Sequence, residues 1–211
     1  MFHNMTFSRK KTIWQQYGKW IIGLLALASI AYGLVQYSAY IKKEKVLAAS
    51  LLYDKMIMSA KEADQTKSLA LAKKIMEEYQ DTPYASLAAL AEAKSAVLNT
   101  KLALAEKHLN FAIEHAKFDA VKIIATERLA RVFAAEKKLT EALSLLEGTK
   151  ISEGYIPLFE ETKGDIYLMQ NERDKARAAY KMALKTVPAE APATRLQLKY
   201  TDVGGFLEDN Q

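Results

Sequence analysis

The chain has 211 residues, no cysteine and a formal charge of +5, which excludes disulfides, thiol chemistry and cysteine-ligated zinc. Glycine and proline are scarce, alanine and leucine abundant, and Val/Ile/Thr alternation is absent, so strand-based folds give way to an all-α reading. Residues 1–45 carry seven Lys or Arg against one acid, Glu44, while the rest balances 23 bases with 24 acids; this argues against nucleic acid, which wants a basic patch on the folded domain, and suits a basic flank on anionic lipid.

Trp20 to Ile41 reads WIIGLLALASIAYGLVQYSAYI, 22 residues without a charge. As a helix it would reach about 33 Å, enough for a hydrocarbon core of about 30 Å. Lys10, Lys11 and Lys19 precede it, and Lys42, Lys43 and Lys45 follow. Trp14, Tyr17 and Trp20 mark one boundary, Tyr37 and Tyr40 the other, where amphipathic rings settle among headgroups. A cleaved secretory signal is the rival reading, with Ala26 and Ala28 in the order A-x-A. Cleavage there would leave the uncharged run Ser29 to Ile41 on the product. A transmembrane anchor is therefore expected at 20–41. A loose basic tail (1–19) should lie before it, with a repeat domain (42–204) and a short tail (205–211) after it.

Val46–Ala63 continues as a helix, with Leu47, Leu51 and Met58 tracing one apolar face. Asp64-Gln65-Thr66 is a polar break. Ser68–Tyr79 forms the next helix, with Leu69, Ala72, Ile75, Met76 and Tyr79 on one side. At Asp81-Thr82-Pro83 a helix starts: Thr82 is a candidate cap, and Pro83 suits the first helical position.

From here the sequence repeats. Ala72, Ala105, Ala142 and Ala176 are spaced by 33, 37 and 34 residues, near the period of tetratricopeptide helix pairs. Gly164, Tyr167, Ala176, Tyr180, Ala183 and Pro188 fall at the consensus positions of the last copy. Gly164 and Ala176 are small where paired helices would cross, Tyr167 and Tyr180 would fill the space beside them, and Pro188 would end the second helix. The middle copy supplies Leu129, Ala130, Phe133, Ala142 and Leu146; the first copy, around Ala60, Ala72 and Met76, is degenerate. The expected fold is all-α: one N-terminal transmembrane helix, then a tetratricopeptide-like α-solenoid of about four helix pairs. An alanine-rich bundle is the alternative.

The first helices of such an array line its concave face. They supply Leu87, Leu90, Lys94, Val97 and Leu98, then Glu127, Arg131, Ala134 and Ala135, then Leu158, Asp165, Leu168 and Met169. This candidate protein-binding groove is largely apolar with scattered charge, suited to extended polypeptide or helices. The competing reading packs each of these residues against the neighbouring repeat.

Support for catalysis is thin. His108 and His115 are seven apart on one helix, and no H-E-x-x-H, G-x-S-x-G or glycine-rich phosphate loop occurs. Glu77-Glu78 and Glu160-Glu161 read as solvated helix faces. No catalytic residue, metal or cofactor is assigned.

Several stretches resemble a family, the ancillary SecYEG translocon subunits (YfgM-like proteins of the Gram-negative inner membrane). They are YGKWIIGLLAL (Tyr17–Leu27), AASLLYDKM (Ala48–Met56), TERLARVFAAEKKLTEALSLLEGTKISEGY (Thr126–Tyr155), KGDIYLMQNERDKARAAYKMAL (Lys163–Leu184) and RLQLKYTDVG (Arg195–Gly204). The N-terminal tail departs from the family: it is basic here and often acidic there. The resemblance implies a cytoplasmic N-terminus and periplasmic repeats. It also implies association with the SecYEG translocon and a PpiD-like periplasmic peptidyl-prolyl isomerase chaperone, and a part in handing secretory polypeptides onward. A role holding an envelope-stress response regulator is attached to the same family. Charge alone leaves orientation open, since four bases precede the anchor and three bases with one acid follow it.

Overall fold

A computed structural model of the chain describes residues 5–188 and 192–206, and side chains from residue 17 onward. The first four residues of the expected tail, and 207–211 of the C-terminal one, lie outside the described residues. The chain divides into two units, 1–48 and 49–211. Nine α-helices are described: α1 (Met5–Lys61), α2 (Gln65–Glu78), α3 (Pro83–Leu98), α4 (Leu102–His115), α5 (Asp119–Ala135), α6 (Leu139–Glu147), α7 (Ile156–Met169), α8 (Arg173–Thr186) and α9 (Thr194–Asp202).

The first unit is the apolar helix. Residues 5–19, expected to be loose, are helical, because no proline interrupts the run into the anchor. The backbone stays helical through Ala26 and Ala28 and beyond Ile41. From Trp20 to Ile41 every side chain is exposed, with Leu24, Leu25, Leu27, Leu34 and Val35 all above 60%. Water would penalise such a surface, and hydrocarbon accepts it; the helix satisfies its own backbone groups. This is the membrane-spanning helix.

The second unit is a row of helix pairs. Within each pair and between successive pairs the contacts are sequential, α2 on α3, α3 on α4 and so on to α8 on α9; the first helices α3, α5 and α7 also touch in turn. Ala72, Ala105, Ala142 and Ala176, one on each second helix, are each 0% exposed. A methyl is the largest group the crossing admits, so these positions set the 33-, 37- and 34-residue rhythm. At the last crossing Gly164 faces the Tyr180 ring, which is fully buried. The helix α8 ends at Thr186, with Val187 as its C-cap immediately before Pro188.

The turn inside each pair is built identically. Ala63, Thr100, Lys137 and Asn171 have φ of 61°, 56°, 67° and 63°. After each, the next N–H reaches five residues back: Asp64 to Ser59, Lys101 to Ala96, Lys138 to Phe133 and Glu172 to Tyr167, at 2.9 Å each. The left-handed residue's own N–H reaches three back, at 3.0–3.3 Å. These are four Schellman caps. A fifth follows α9, with Gly204 at φ 80° and Gly205 N–H bonding Tyr200 O at 2.9 Å.

Three local expectations are corrected. On α1 the buried face is Ala49, Met56 and Ser59, while Leu47, Leu51 and Met58 are more than half exposed. Two stripes of similar spacing compete there, and the one holding Met56 packs with Ala72 and Ile75 of α2 and Ala85 and Ala88 of α3. On α2, Leu69 is likewise half-exposed, while Ala72 and Ile75 are buried. Thr82 precedes α3 but does not cap it: its hydroxyl turns back and donates to Tyr79 O at 2.8 Å. The side-chain cap occurs at α2 instead, where Asp64 accepts from Lys67 N–H at 3.0 Å.

Candidate functional site

Two adjoining surfaces are made by the first helices. Between α3 and α5, over the start of α4, lies an open groove of about 330 Å³. Lys94, Val97 and Leu98 come from α3, and Arg131 and Ala135 from α5; Arg128 and Val132 join them. Leu98 is 74% exposed and Val97 43%. Helical periodicity places them so: α3 buries Ala89, Ala93 and Ala96, which leaves Val97 and Leu98 off that face in its last turn. Leu90 does not line the groove. It packs in the core with Ala93, Leu109 and Leu129, because it shares its face with the alanines that contact α4. Leu87 is half-buried, Ala134 is buried, and Leu158 packs beside the core below α5.

The second surface, across α5, α7 and α9, is polar where an apolar one was expected. The Arg131 guanidinium pairs with Glu127 one turn back and donates to Thr162 Oγ1 at 2.9 Å. That hydroxyl donates to Glu127 Oε1 at 2.6 Å. Asp165 lies 3.9 Å from Arg131 and accepts from Tyr180 Oη at 2.8 Å. Lys199 on α9 donates to Asp165 at 2.6 Å and to Glu161 at 2.8 Å, and Arg195 lies 2.9 Å from Glu161. Burial alone would ease the proton off Arg131, but Glu127 and Asp165 outweigh it and its pKa is raised. Burial, then the bond to Asp165, pushes the Tyr180 phenol well above its usual range.

Glu161, read as solvated, is therefore a correction: it is 7% exposed and holds two cations from α9. Its neighbour Glu160 keeps the simple pair, 2.8 Å from Lys163. Leu168 and Met169, at the end of α7, are 36% and 50% exposed and do not line the α3–α5 groove. Tyr167 lies under Lys175, whose ammonium is 5.6 Å from the ring.

Among the described residues no group of three or more His, Asp or Glu is placed to hold a metal. His108 is half-buried, and burial followed by Lys107 lowers its pKa; His115 instead stacks on Phe111 with centroids 4.2 Å apart.

A membrane-spanning helix followed by paired helices with left-handed turns defines a membrane-anchored helical-repeat protein. The chain belongs to the tetratricopeptide repeat-like domain family, which it matches over residues 11–205. It is similar to the ancillary SecYEG translocon subunit of Neisseria gonorrhoeae, 29% identical over 88% of this chain and 89% of that protein. It also resembles the proteins of that name in Haemophilus influenzae (28%, covering 82% and 84%) and Escherichia coli (26%, covering 74% of each). These relatives agree with the resemblance drawn from the motifs.

Proposed function

We propose that the chain is a non-enzymatic, single-pass inner-membrane protein that associates with the SecYEG translocon and receives secretory polypeptides on its repeat domain. The observation that carries this reading is the pairing of a lipid-facing helix with an open apolar groove, in a chain whose relatives are named translocon subunits. The N-terminus is cytoplasmic and the repeats periplasmic. A PpiD-like isomerase chaperone is the onward partner, and anionic lipid holds the basic flank.

The groove residues are Lys94, Val97, Leu98 and Arg131; Leu168 and Met169, exposed at the end of α7 and outside that groove, form a separate apolar contact. An open groove with few hydrogen-bonding demands suits weak, fast exchange. A regulatory role, holding an envelope-stress regulator at the membrane, is the second reading; it needs cytoplasmic repeats.

Co-purification from detergent-solubilised membranes tests the first reading. Recovery with translocon and chaperone supports it; recovery with neither overturns it. Protease added to spheroplasts separates the two readings, since only a periplasmic repeat domain is digested. Leu98→Glu with Leu168→Glu tests the groove and that α7 contact together: unchanged partner recovery by a folded variant removes both assignments.

A further inference from the structure

We propose that the α3–α5 groove selects client segments in which an apolar side chain stands next to a carboxylate. This rests on the reading that the groove binds polypeptide, and it names the chemistry selected. The floor is apolar, with Val97, Leu98 and Val132, and the charged residues lining it are Lys94, Arg128 and Arg131. Among the described residues no acidic side chain lines it. Of the carboxylates flanking it on α5, Glu127 is 3% exposed and committed to Arg131 and Thr162, and Glu136 is paired with Lys138.

Lys94 and Arg128 are exposed and make no ion pair among the described residues. The residues beyond 45 carry 23 bases against 24 acids, so this sign is local and not a reflection of a basic domain. On the neighbouring face the opposite holds: Arg131, Arg195 and Lys199 are matched there by Glu127, Glu161 and Asp165. Charge is thus matched on the face shared by α5, α7 and α9 and unmatched at Lys94 and Arg128, beside the exposed apolar floor. An entering apolar side chain displaces water from the rim, which strengthens attraction to a carboxylate and raises the cost of bringing in a lysine. The occupant is an acidic-apolar stretch of an exported polypeptide.

The test uses the full chain in detergent and three labelled peptides with both ends blocked. One peptide alternates leucine with glutamate, the second replaces glutamate by glutamine, and the third replaces it by lysine. Fluorescence anisotropy reads binding at low and raised salt. The acidic peptide should bind roughly tenfold more tightly than the glutamine peptide, an advantage that shrinks as salt rises. Lys94→Glu with Arg128→Glu should reverse the order and make the lysine peptide the best ligand, a gain that misfolding does not produce. Equal binding of acidic and glutamine peptides by the native chain overturns the proposal while leaving a purely apolar groove intact. Leu98→Gln separates the two failures: it should weaken all three peptides, and if it weakens none, the groove reading itself fails.

Discussion

The ring of Tyr180 occupies the space in which a side chain on Gly164 would begin. A Cβ built there lies 2.3 Å from Tyr180 Cε1 and 2.8 Å from Cζ, and the phenol behind it is tied to Asp165. The ring cannot retreat, because it is fully buried and its hydroxyl is held. Gly164→Ala should therefore cost about 1–3 kcal/mol. Tyr180→Leu alone should cost about 2–4 kcal/mol through the cavity and the lost hydrogen bond. The double variant should be more stable than the sum of the two losses, since removing the ring removes the clash. Urea titrations of the four proteins measure the coupling; strict additivity would mean the ring moves aside freely.

The left-handed turn residues give a cleaner test, because Ala63 is exposed and its side chain is a single methyl. An L-residue with φ near 60° carries a cost of about 1–2 kcal/mol that glycine does not. Ala63→Gly should stabilise the first helix pair by about 0.5–1 kcal/mol after the entropy of a freer unfolded chain is subtracted. Ala63→Val should destabilise by about 1 kcal/mol or more. Thermal unfolding of both variants checks the opposite signs.

Lys199 fastens α9 to α7 through two carboxylates, and its own side chain is one-quarter exposed. Lys199→Met keeps the stem and deletes the charge, leaving Glu161 and Asp165 short of a partner. Cutting one member of a partly buried pair should cost about 1–3 kcal/mol, less than a fully buried pair because water reaches the site. The loss should be local. In hydrogen exchange the amides of α9 should lose protection first, while α3 to α6 keep theirs.

Glu92 lies buried on α3, and burial raises its pKa above the ordinary glutamate value. For an acid whose folded pKa is raised, the contribution to stability is fully present below the unfolded pKa. It is lost as pH rises through the folded pKa. Glu92→Gln should therefore melt higher than the native chain at neutral pH, and the difference should close in acid. Melting curves at both ends of that window decide it: a variant less stable at neutral pH would show that the carboxylate has a favourable role.

Parts of this architecture are written plainly in the residues. The anchor is legible because 22 uncharged residues in a row have few other fates. The repeat is legible because each crossing tolerates only a small residue, which gives Ala72, Ala105, Ala142 and Ala176 a period. The turns are hidden, since the left-handed positions hold Ala, Thr, Lys and Asn where glycine would have marked them. The polar face of α5, α7 and α9 is hidden for another reason. Glu161 finds Arg195 and Lys199 at separations of 34 and 38 residues, so its local surroundings look like those of Glu160. Leu90 and Leu98 illustrate the limit of periodicity. Both are leucines on α3; one packs with the alanines of the core and the other lies exposed in the last turn, lining the groove.

We propose above all that the open end of α3, on a repeat domain tethered to the membrane, touches polypeptides in transit. A photo-crosslinking residue at position 98 of the full-length protein, activated in living cells, tests it most directly, with position 73 on the exposed side of α2 as reference. Position 98 should yield adducts with newly exported chains that disappear when export is blocked, and position 73 should yield few. Adducts of equal yield at both positions, or none at 98, would contradict it.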